Sequence, residues 1–217
     1  SVCFCPSAVL ICTSMLVLVV VLITVVLQKY SDSFTGTTFL MNQVFIVLLT
    51  CSFKAALCDF NISLTPKNCP GDHFSFLIRS GAANVVPPKI CIQNNLVLGG
   101  VINNAGYGIN VVILNGEKVK PLIELLKSIE KGSIVLMASY DEPSSKLTED
   151  ARKLIAELGS SVVQSLGFRD NWVFVGGKGA TVKSNFEKYL KNDNMKNKYE
   201  NWPELIELTG CIPKYLD

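Results

Sequence analysis

Charged side chains stand beside two apolar segments of the chain. Asp141 directly follows Ser133–Tyr140, and Arg169 lies just before Asn171–Gly177. If these segments are neighbouring antiparallel strands, the carboxylate and the guanidinium meet at one end of a sheet. Together such groups accept from and donate to vicinal hydroxyls, which is the usual polar grip on a sugar ring. The alternative interpretation is a structural salt bridge that fixes two loops.

Glu142 provides a second carboxylate next to Asp141 and raises the question of a glycan-processing enzyme. Glycosidases need two carboxyl groups that flank the scissile bond. Adjacent residues of an extended chain point to opposite faces, so this pair does not fit that requirement. A serine nucleophile would depend on His73, the only histidine, and the chain has no G-x-S-x-G elbow. We therefore expect no enzymatic activity and assign no catalytic residue.

The glycine-rich sequence at Gly176–Gly179 surrounds Lys178 but does not fit a phosphate-binding loop. A P-loop places Ser or Thr after its lysine, whereas Gly179 stands there, and the spacing of a dinucleotide fingerprint also fails. We interpret the segment as a turn that releases a strand, and we expect no cofactor.

The composition limits the class of partner. The chain has 217 residues and a formal net charge of +2, enough for one domain with a proper core and a tail. Nucleic-acid binding calls for clustered Lys and Arg on a basic domain, so we expect no nucleic-acid partner.

The first 57 residues differ from the rest, since they carry only three charged side chains. Ala8–Leu27 is apolar and long enough to span a bilayer as a transmembrane helix. Phe39–Thr50 is shorter and resembles the apolar core of a secretion signal, and Met15 and Met41 are candidate starts. We predict a signal or anchor with a linker over residues 1–57 and an exported domain over residues 58–217. The protein is then secreted to the extracellular space, or tethered to the membrane by this apolar segment.

The cysteines agree with export. Four of the eight lie in the polar part of the chain, at Cys58, Cys69, Cys91 and Cys211. In an exported domain four cysteines predict two disulfides, with three possible pairings. None of the four has the close spacing of a zinc site, so we expect no metal. Asn61 begins N-I-S, an N-glycosylation acceptor, which predicts a glycoprotein.

The hydrophobic periodicity predicts an α+β domain with antiparallel or mixed sheets and helices packed outside. The predicted strands are His73–Ser80, Ile109–Leu114, Ser133–Tyr140, Asn171–Gly177 and Pro203–Leu208. Two helices are predicted from apolar stripes, one from Pro121 to Gly132 and one after the N-cap Thr148. A third is predicted at Ser184, because Glu187 follows at the capping-box spacing.

Several long sequence blocks, in order along the chain, resemble a known family. They are HFSFLIRSGAANVVPPKIC, GINVVILNG, GSIVLMASYDEPSSKLTEDARKLIAELGS, LGFRDNWVFVGGKG and KYENWPELIELTGCIP. These blocks resemble the secreted cytokine-like proteins that include pancreatic-derived factor and the interleukin-like inducer of epithelial–mesenchymal transition. The resemblance covers nearly all of Cys58–Pro213, and the domain of this family is called a GG-type lectin domain.

The resemblance implies a compact β-β-α sandwich in which two mainly antiparallel sheets are flanked by short helices and stabilised by disulfides. It implies the pairings Cys58–Cys91 and Cys69–Cys211. It also implies a carbohydrate site at Asp141 and Arg169, with Tyr107 where sugar-binding relatives have a second arginine. Relatives have a further strand after Gly116 that this chain lacks, so we expect an exposed sheet edge.

Taken together, these observations predict a secreted, cytokine-like or hormone-like signalling protein with a lectin-like domain that binds carbohydrate. Its partner is then a glycan or a cell-surface receptor. In the alternative, the protein is a receptor-binding ligand with no sugar binding, and Asp141 and Arg169 are structural.

Overall fold

The computed structural model describes residues 69–114 and 121–214. These residues belong to one compact unit, Lys54–Asp217. Within the described ranges no helix is long and apolar enough to cross a membrane. The predicted N-terminal anchor and signal, Cys58 and the glycosylation acceptor Asn61 lie outside the described residues.

Eight strands form two antiparallel four-stranded sheets. The first sheet contains β1 (His73–Arg79), β2 (Lys89–Ile92), β3 (Asn95–Leu98) and β8 (Glu207–Pro213), in the order β3-β2-β1-β8. The second contains β4 (Gly108–Leu114), β5 (Ile134–Tyr140), β6 (Asn171–Gly177) and β7 (Phe186–Leu190), in the order β4-β5-β6-β7. The helices are α1 (Leu122–Ser128) and α2 (Glu149–Glu157), with short 3₁₀ turns at Gly100–Ile102 and Val163–Ser165.

Strand β5 shows why the fold has three layers. All seven of its residues are buried, as the continuous apolar run predicts. Ile134, Leu136 and Ala138 face the core between the two sheets. Val135 and Met137 face a second core, which α1 and α2 close from outside. The predicted α+β class and the β-β-α sandwich are confirmed.

The two predicted helices that flank this sheet are present. The side chain of Thr148 accepts a hydrogen bond from the Ala151 backbone N–H and begins α2, as predicted. Gly159, with φ of 104°, follows the end of the helix. Helix α1 ends at Ser128, earlier than the predicted end at Gly132.

The helix predicted at Ser184 is wrong, because Phe186–Leu190 forms strand β7 against β6. Glu187 does not complete a capping box. Its carboxylate accepts hydrogen bonds from the Ser160 hydroxyl at 2.5 Å and from the Trp172 indole at 2.9 Å. Contacts with residues distant in sequence therefore outweigh the local helix signal.

The last strand was predicted too early in the chain. Pro203–Leu208 overlaps β8 only at its end, since β8 runs from Glu207 to Pro213 and pairs with β1. Cys211 in this strand is bonded to Cys69 in a disulfide with a sequence separation of 142. That is one of the two pairings implied by the resemblance. Cys91 is also disulfide-bonded, and the cysteine that completes this bond lies outside the described residues.

Two further features concern sheet edges. The hairpin that joins β2 to β3 was not predicted, and its two loop residues, Gln93 and Asn94, have positive φ values of 48° and 64°. Within the described part of the chain, β4 lies at an edge of the second sheet.

Candidate functional site

One end of the second sheet gathers the three predicted carbohydrate-binding residues. Strand β5 pairs antiparallel with both β4 and β6, as the register pairs Gly108–Tyr140 and Ala138–Val173 show. The start of β4, the end of β5 and the start of β6 therefore lie at the same sheet end. The predicted antiparallel neighbourhood of the segments that flank Asp141 and Arg169 is confirmed.

Arg169 has an unusual backbone conformation, and its guanidinium contacts aromatic rings but no hydrogen-bond acceptor among the described residues. Its φ is 58°, a left-handed conformation that is uncommon for a residue other than glycine. Its Cζ atom lies 4.0 Å from the centroid of the Trp202 ring and 4.9 Å from that of Phe168. Its Nε atom is buried without a hydrogen-bond partner. Among the described residues, nothing accepts a hydrogen bond from this guanidinium.

Asp141 is joined to Arg169 through an aromatic ring. The Trp202 indole Nε1–H donates to Oδ1 of Asp141 at 3.1 Å. In the described part of the chain, no ion pair within 4.0 Å connects Asp141 with Arg169. The Trp202 ring therefore bridges the carboxylate and the guanidinium, and the direct salt bridge of the alternative interpretation is not formed.

Trp202 is a site residue that the sequence reasoning did not single out. It follows the polar segment 191–201, and a backbone bridge to Tyr199 holds its turn. The buried Asn171 side chain donates to the carbonyls of Pro203 and Glu204 at 3.3 and 2.8 Å. The available signal was a single tryptophan at the end of a polar segment. Tryptophan is highly buried on average, so its presence there indicates packing against another part of the protein.

Tyr107 presents an aromatic surface beside these residues. Its side chain is 70% exposed, and its ring centroid lies 4.9 Å from that of Tyr140. The Tyr140 hydroxyl donates to the Asn84 carbonyl at 3.1 Å. Burial, together with the nearby Tyr107 and Asp141, raises the pKa of Tyr140. A Cβ atom at Gly81 would stand 2.4 Å from the Tyr140 ring, so only glycine fits against it.

Asp170 supports the turn that presents Arg169. It is 3% exposed and accepts hydrogen bonds from the Gly167 N–H, the Tyr189 hydroxyl and the Asn192 N–H, at 2.7, 2.8 and 2.7 Å. Burial and the bond to Asp170 raise the pKa of Tyr189 to about 12. The Asp170 carboxylate is thus hydrogen-bonded within the protein, whereas the guanidinium of its neighbour Arg169 has no hydrogen-bond partner among the described residues.

Glu142 stabilises the loop that follows β5. Its carboxylate accepts from the backbone N–H groups of Ser144 and Ser145, both at 2.8 Å, and from the Ser144 hydroxyl at 2.6 Å. Burial alone would raise its pKa, but these hydrogen bonds outweigh burial and lower the pKa to about 2. At neutral pH this group is a carboxylate held by its own loop.

Replacing Glu142 with glutamine is expected to lower the free energy of unfolding by about 1 kcal/mol at pH 7, after allowance for solvent screening of this partly exposed group. A depressed folded-state pKa stabilises the fold above the ordinary pKa of 4.5, and this contribution disappears as the pH falls to about 2. Urea denaturation of both proteins at several pH values measures the difference. A difference that stays constant down to pH 2 would contradict this assignment.

The cluster presents hydrogen-bond donors, a carboxylate and an aromatic face at one end of the sheet. Arg169 offers unused donors, Asp141 offers a second carboxylate oxygen, and Tyr107 offers an exposed aromatic face. These groups are of the kinds that hold sugar hydroxyls and stack on a sugar face. The sheet end and its supporting layers define a disulfide-bonded β-β-α domain with a polar and aromatic site at one end.

Sequence comparisons identify the family. A family model described as "Interleukin-like EMT inducer" matches residues 99–180, a range that includes Tyr107, Asp141 and Arg169. Protein FAM3C of Rattus norvegicus is 47% identical over 212 residues, which cover 85% of this chain and 93% of the rat protein. Protein FAM3C of Danio rerio is 54% identical over 162 residues, which cover 68% of this chain and 71% of the zebrafish protein. Protein FAM3A of Homo sapiens is 42% identical over 164 residues, which cover 69% of this chain and 71% of the human protein. The chain belongs to the FAM3 family of cytokine-like proteins.

Proposed function

We propose that this FAM3 family member is a secreted signalling protein whose site at the end of the second sheet binds carbohydrate. The observation that carries the proposal is the Arg169 guanidinium, which is stacked on Trp202 and hydrogen-bonded to no described residue. If Arg169 had only a structural role, some of its five N–H donors would be expected to form hydrogen bonds within the protein. The left-handed backbone of Arg169 adds a local cost of the kind that clusters at ligand sites.

Secretion is supported by features outside the site. Disulfides persist in oxidising compartments, and the bond between Cys69 and Cys211 fits an exported protein. The apolar segments before residue 58 fit entry into the secretory pathway. We propose that the extracellular partner is a glycan, carried by a polysaccharide or by a cell-surface glycoprotein.

Replacing Arg169 with alanine is expected to weaken carbohydrate binding by about 10- to 150-fold, because hydrogen bonds from a charged donor contribute about 1.5–3 kcal/mol. A glycan array that identifies a ligand, followed by titration of that ligand, measures the loss. Lys153→Ala is the matched control, since it removes one positive charge from an exposed position on α2. Absence of binding by the wild-type protein, or equal binding by both variants, would remove the proposal.

A second candidate function is receptor binding without any sugar. The hydrogen bond between Trp202 and Asp141 favours it, because this contact joins two loops and does not need a ligand. In that case Arg169→Ala lowers the melting temperature slightly through the lost stacking and leaves the cellular response unchanged. A sugar titration beside thermal melts and a cell-signalling assay separates the two functions, since only the carbohydrate function predicts that Arg169→Ala loses sugar binding.

We propose no catalytic role for the site. Glu142, the carboxyl group nearest in sequence to Asp141, is held by its own loop with its pKa lowered to about 2. A general acid at neutral pH needs a raised pKa. Turnover of a chromogenic glycoside that disappears in Asp141→Asn would overturn this view.

A further inference from the structure

The positive charge of Arg169 is not paired with any carboxylate among the described residues. The guanidinium of Arg169 has no carboxylate within 4.0 Å among the described residues, although Asp170 is its neighbour in the chain. Asp170 uses both carboxylate oxygens on other groups, with Oδ1 accepting from Asn192 and Oδ2 from Gly167 and Tyr189. No carboxylate of the described chain neutralises the charge of Arg169, so a ligand anion is the complementary partner for this guanidinium.

The ring of Trp202 sets the spacing between the two charged groups. Arg169 lies over the ring face, and Asp141 accepts from the indole nitrogen at the ring edge. A ligand that contacts both groups must therefore carry an anion and hydroxyl donors about one aromatic ring apart. A hexuronic acid has this pattern, because its carboxylate and its 2- and 3-hydroxyls lie on opposite sides of one pyranose ring.

We propose that the site prefers a uronic acid residue over a neutral sugar, with the ligand carboxylate on Arg169 and the ring hydroxyls on Asp141. This inference rests on the proposed carbohydrate function and names the ligand class. The guanidinium fork matches a carboxylate geometrically, and hydrogen bonds between two charged groups are about twice as strong as neutral ones. A neutral hexose in the same orientation offers Arg169 only a hydroxymethyl group.

Acidic peptides fit the same geometry less well. A peptide carboxylate can pair with Arg169, but the acidic side chain itself brings no hydroxyl donors to Asp141. Tyr107, with 70% of its side chain exposed, also favours a sugar face over a short flexible side chain. The ligand class that uses all three residues is therefore a carboxylated sugar ring.

The test compares methyl β-glucuronide, methyl β-glucoside and acetate by titration calorimetry or NMR. The glucuronide is expected to bind at least about 10-fold more tightly than the glucoside, a difference of 1.4 kcal/mol. Arg169→Gln keeps a planar hydrogen-bonding group but removes the charge, and it is expected to reduce this preference to within about twofold. Lys153→Gln is the matched control and should leave the preference unchanged. Circular dichroism melts establish that each variant is folded.

The outcomes separate this inference from the proposed function. Equal affinity for glucuronide and glucoside, or a preference that survives Arg169→Gln, would overturn the acidic-sugar inference and leave carbohydrate binding standing. Acetate binding as tightly as the glucuronide would overturn it too, since the site would then recognise a bare carboxylate. No binding of either sugar would remove both proposals. Tighter binding of the glucuronide than of the glucoside, with the glucuronide affinity falling as the salt concentration rises, is the supporting result.

Discussion

Replacing both Cys69 and Cys211 with alanine is expected to lower the free energy of unfolding by about 5 kcal/mol. The bond closes a loop with a sequence separation of 142, and cross-linking so long a loop removes much conformational freedom from the unfolded chain. Because domains are stable by only about 5–15 kcal/mol, the variant is expected to be largely unfolded at body temperature. Urea denaturation followed by circular dichroism measures the change.

The single variants Cys69→Ala and Cys211→Ala control for the thiols themselves. Each breaks the same bond, so each should lose nearly as much stability as the double variant. Loss of less than about 1 kcal/mol in all three proteins would show that the bond adds little to the fold. Loss of this bond also affects the candidate site, because β8, which contains Cys211, follows the segment that carries Trp202 and pairs with β1.

Truncating either tryptophan is expected to lower stability, but the loss is larger for Trp172 and only Trp202 is needed for carbohydrate binding. Trp172→Ala is expected to lower the free energy of unfolding by about 3–5 kcal/mol, because the side chain is fully buried and stacks on Phe174 at 5.6 Å. Its loss also removes the indole donor to the Glu187 carboxylate. Trp202→Ala is expected to cost about 1–2 kcal/mol and to abolish carbohydrate binding, since Arg169 and Asp141 both depend on that ring.

Urea denaturation measures the stability of the two variants, and sugar titration measures their binding. Each variant serves as the control for the other. Sugar binding is measured at low temperature, where Trp172→Ala retains enough folded protein to titrate. The account would be contradicted by a Trp202→Ala protein that binds sugar like the wild type. A Trp202→Ala protein as unstable as Trp172→Ala would instead assign Trp202 to the core.

Much of the fold was predictable because both central strands are buried on two faces. The continuous apolar runs of β5 and β6 require a packed layer on each face of the sheet. The amphipathic stripes between and beside these runs predict the helices, which form one of the two layers. The short strands β2 and β3 have no such signal. Each has only four residues, which are too few to establish a period.

Strand β7 was not predictable for a different reason. The capping-box spacing of Ser184 and Glu187 is a local pattern, whereas Glu187 is satisfied by Ser160, Ser161 and Trp172, which lie 15 to 27 residues away. Only the folded chain brings these donors together. A helix at this position would leave them without an acceptor, and that cost decides in favour of the strand.

The same reasoning applies to the candidate site. The positions of Asp141 and Arg169 beside two apolar runs predicted a shared sheet end on the condition that these runs are neighbouring antiparallel strands, which β5 and β6 are. The indole between them could not be predicted, because Trp202 arrives from a segment 33 residues beyond Arg169 and is held there by Asn171. The lack of an ion pair at Arg169 could not be predicted either, because it depends on the hydrogen bonds that Asp141 and Asp170 form with other groups in the folded protein.

The most direct test of carbohydrate binding uses the indole N–H signals in a ¹⁵N-labelled sample. The chain has two tryptophans, so two indole signals are expected, one from the site residue Trp202 and one from the buried Trp172. Titration with methyl β-glucuronide, and separately with methyl β-glucoside, is predicted to shift the Trp202 signal and to leave the Trp172 signal in place. If neither sugar moves the Trp202 signal, or if both signals move equally, the sheet end is not a carbohydrate site.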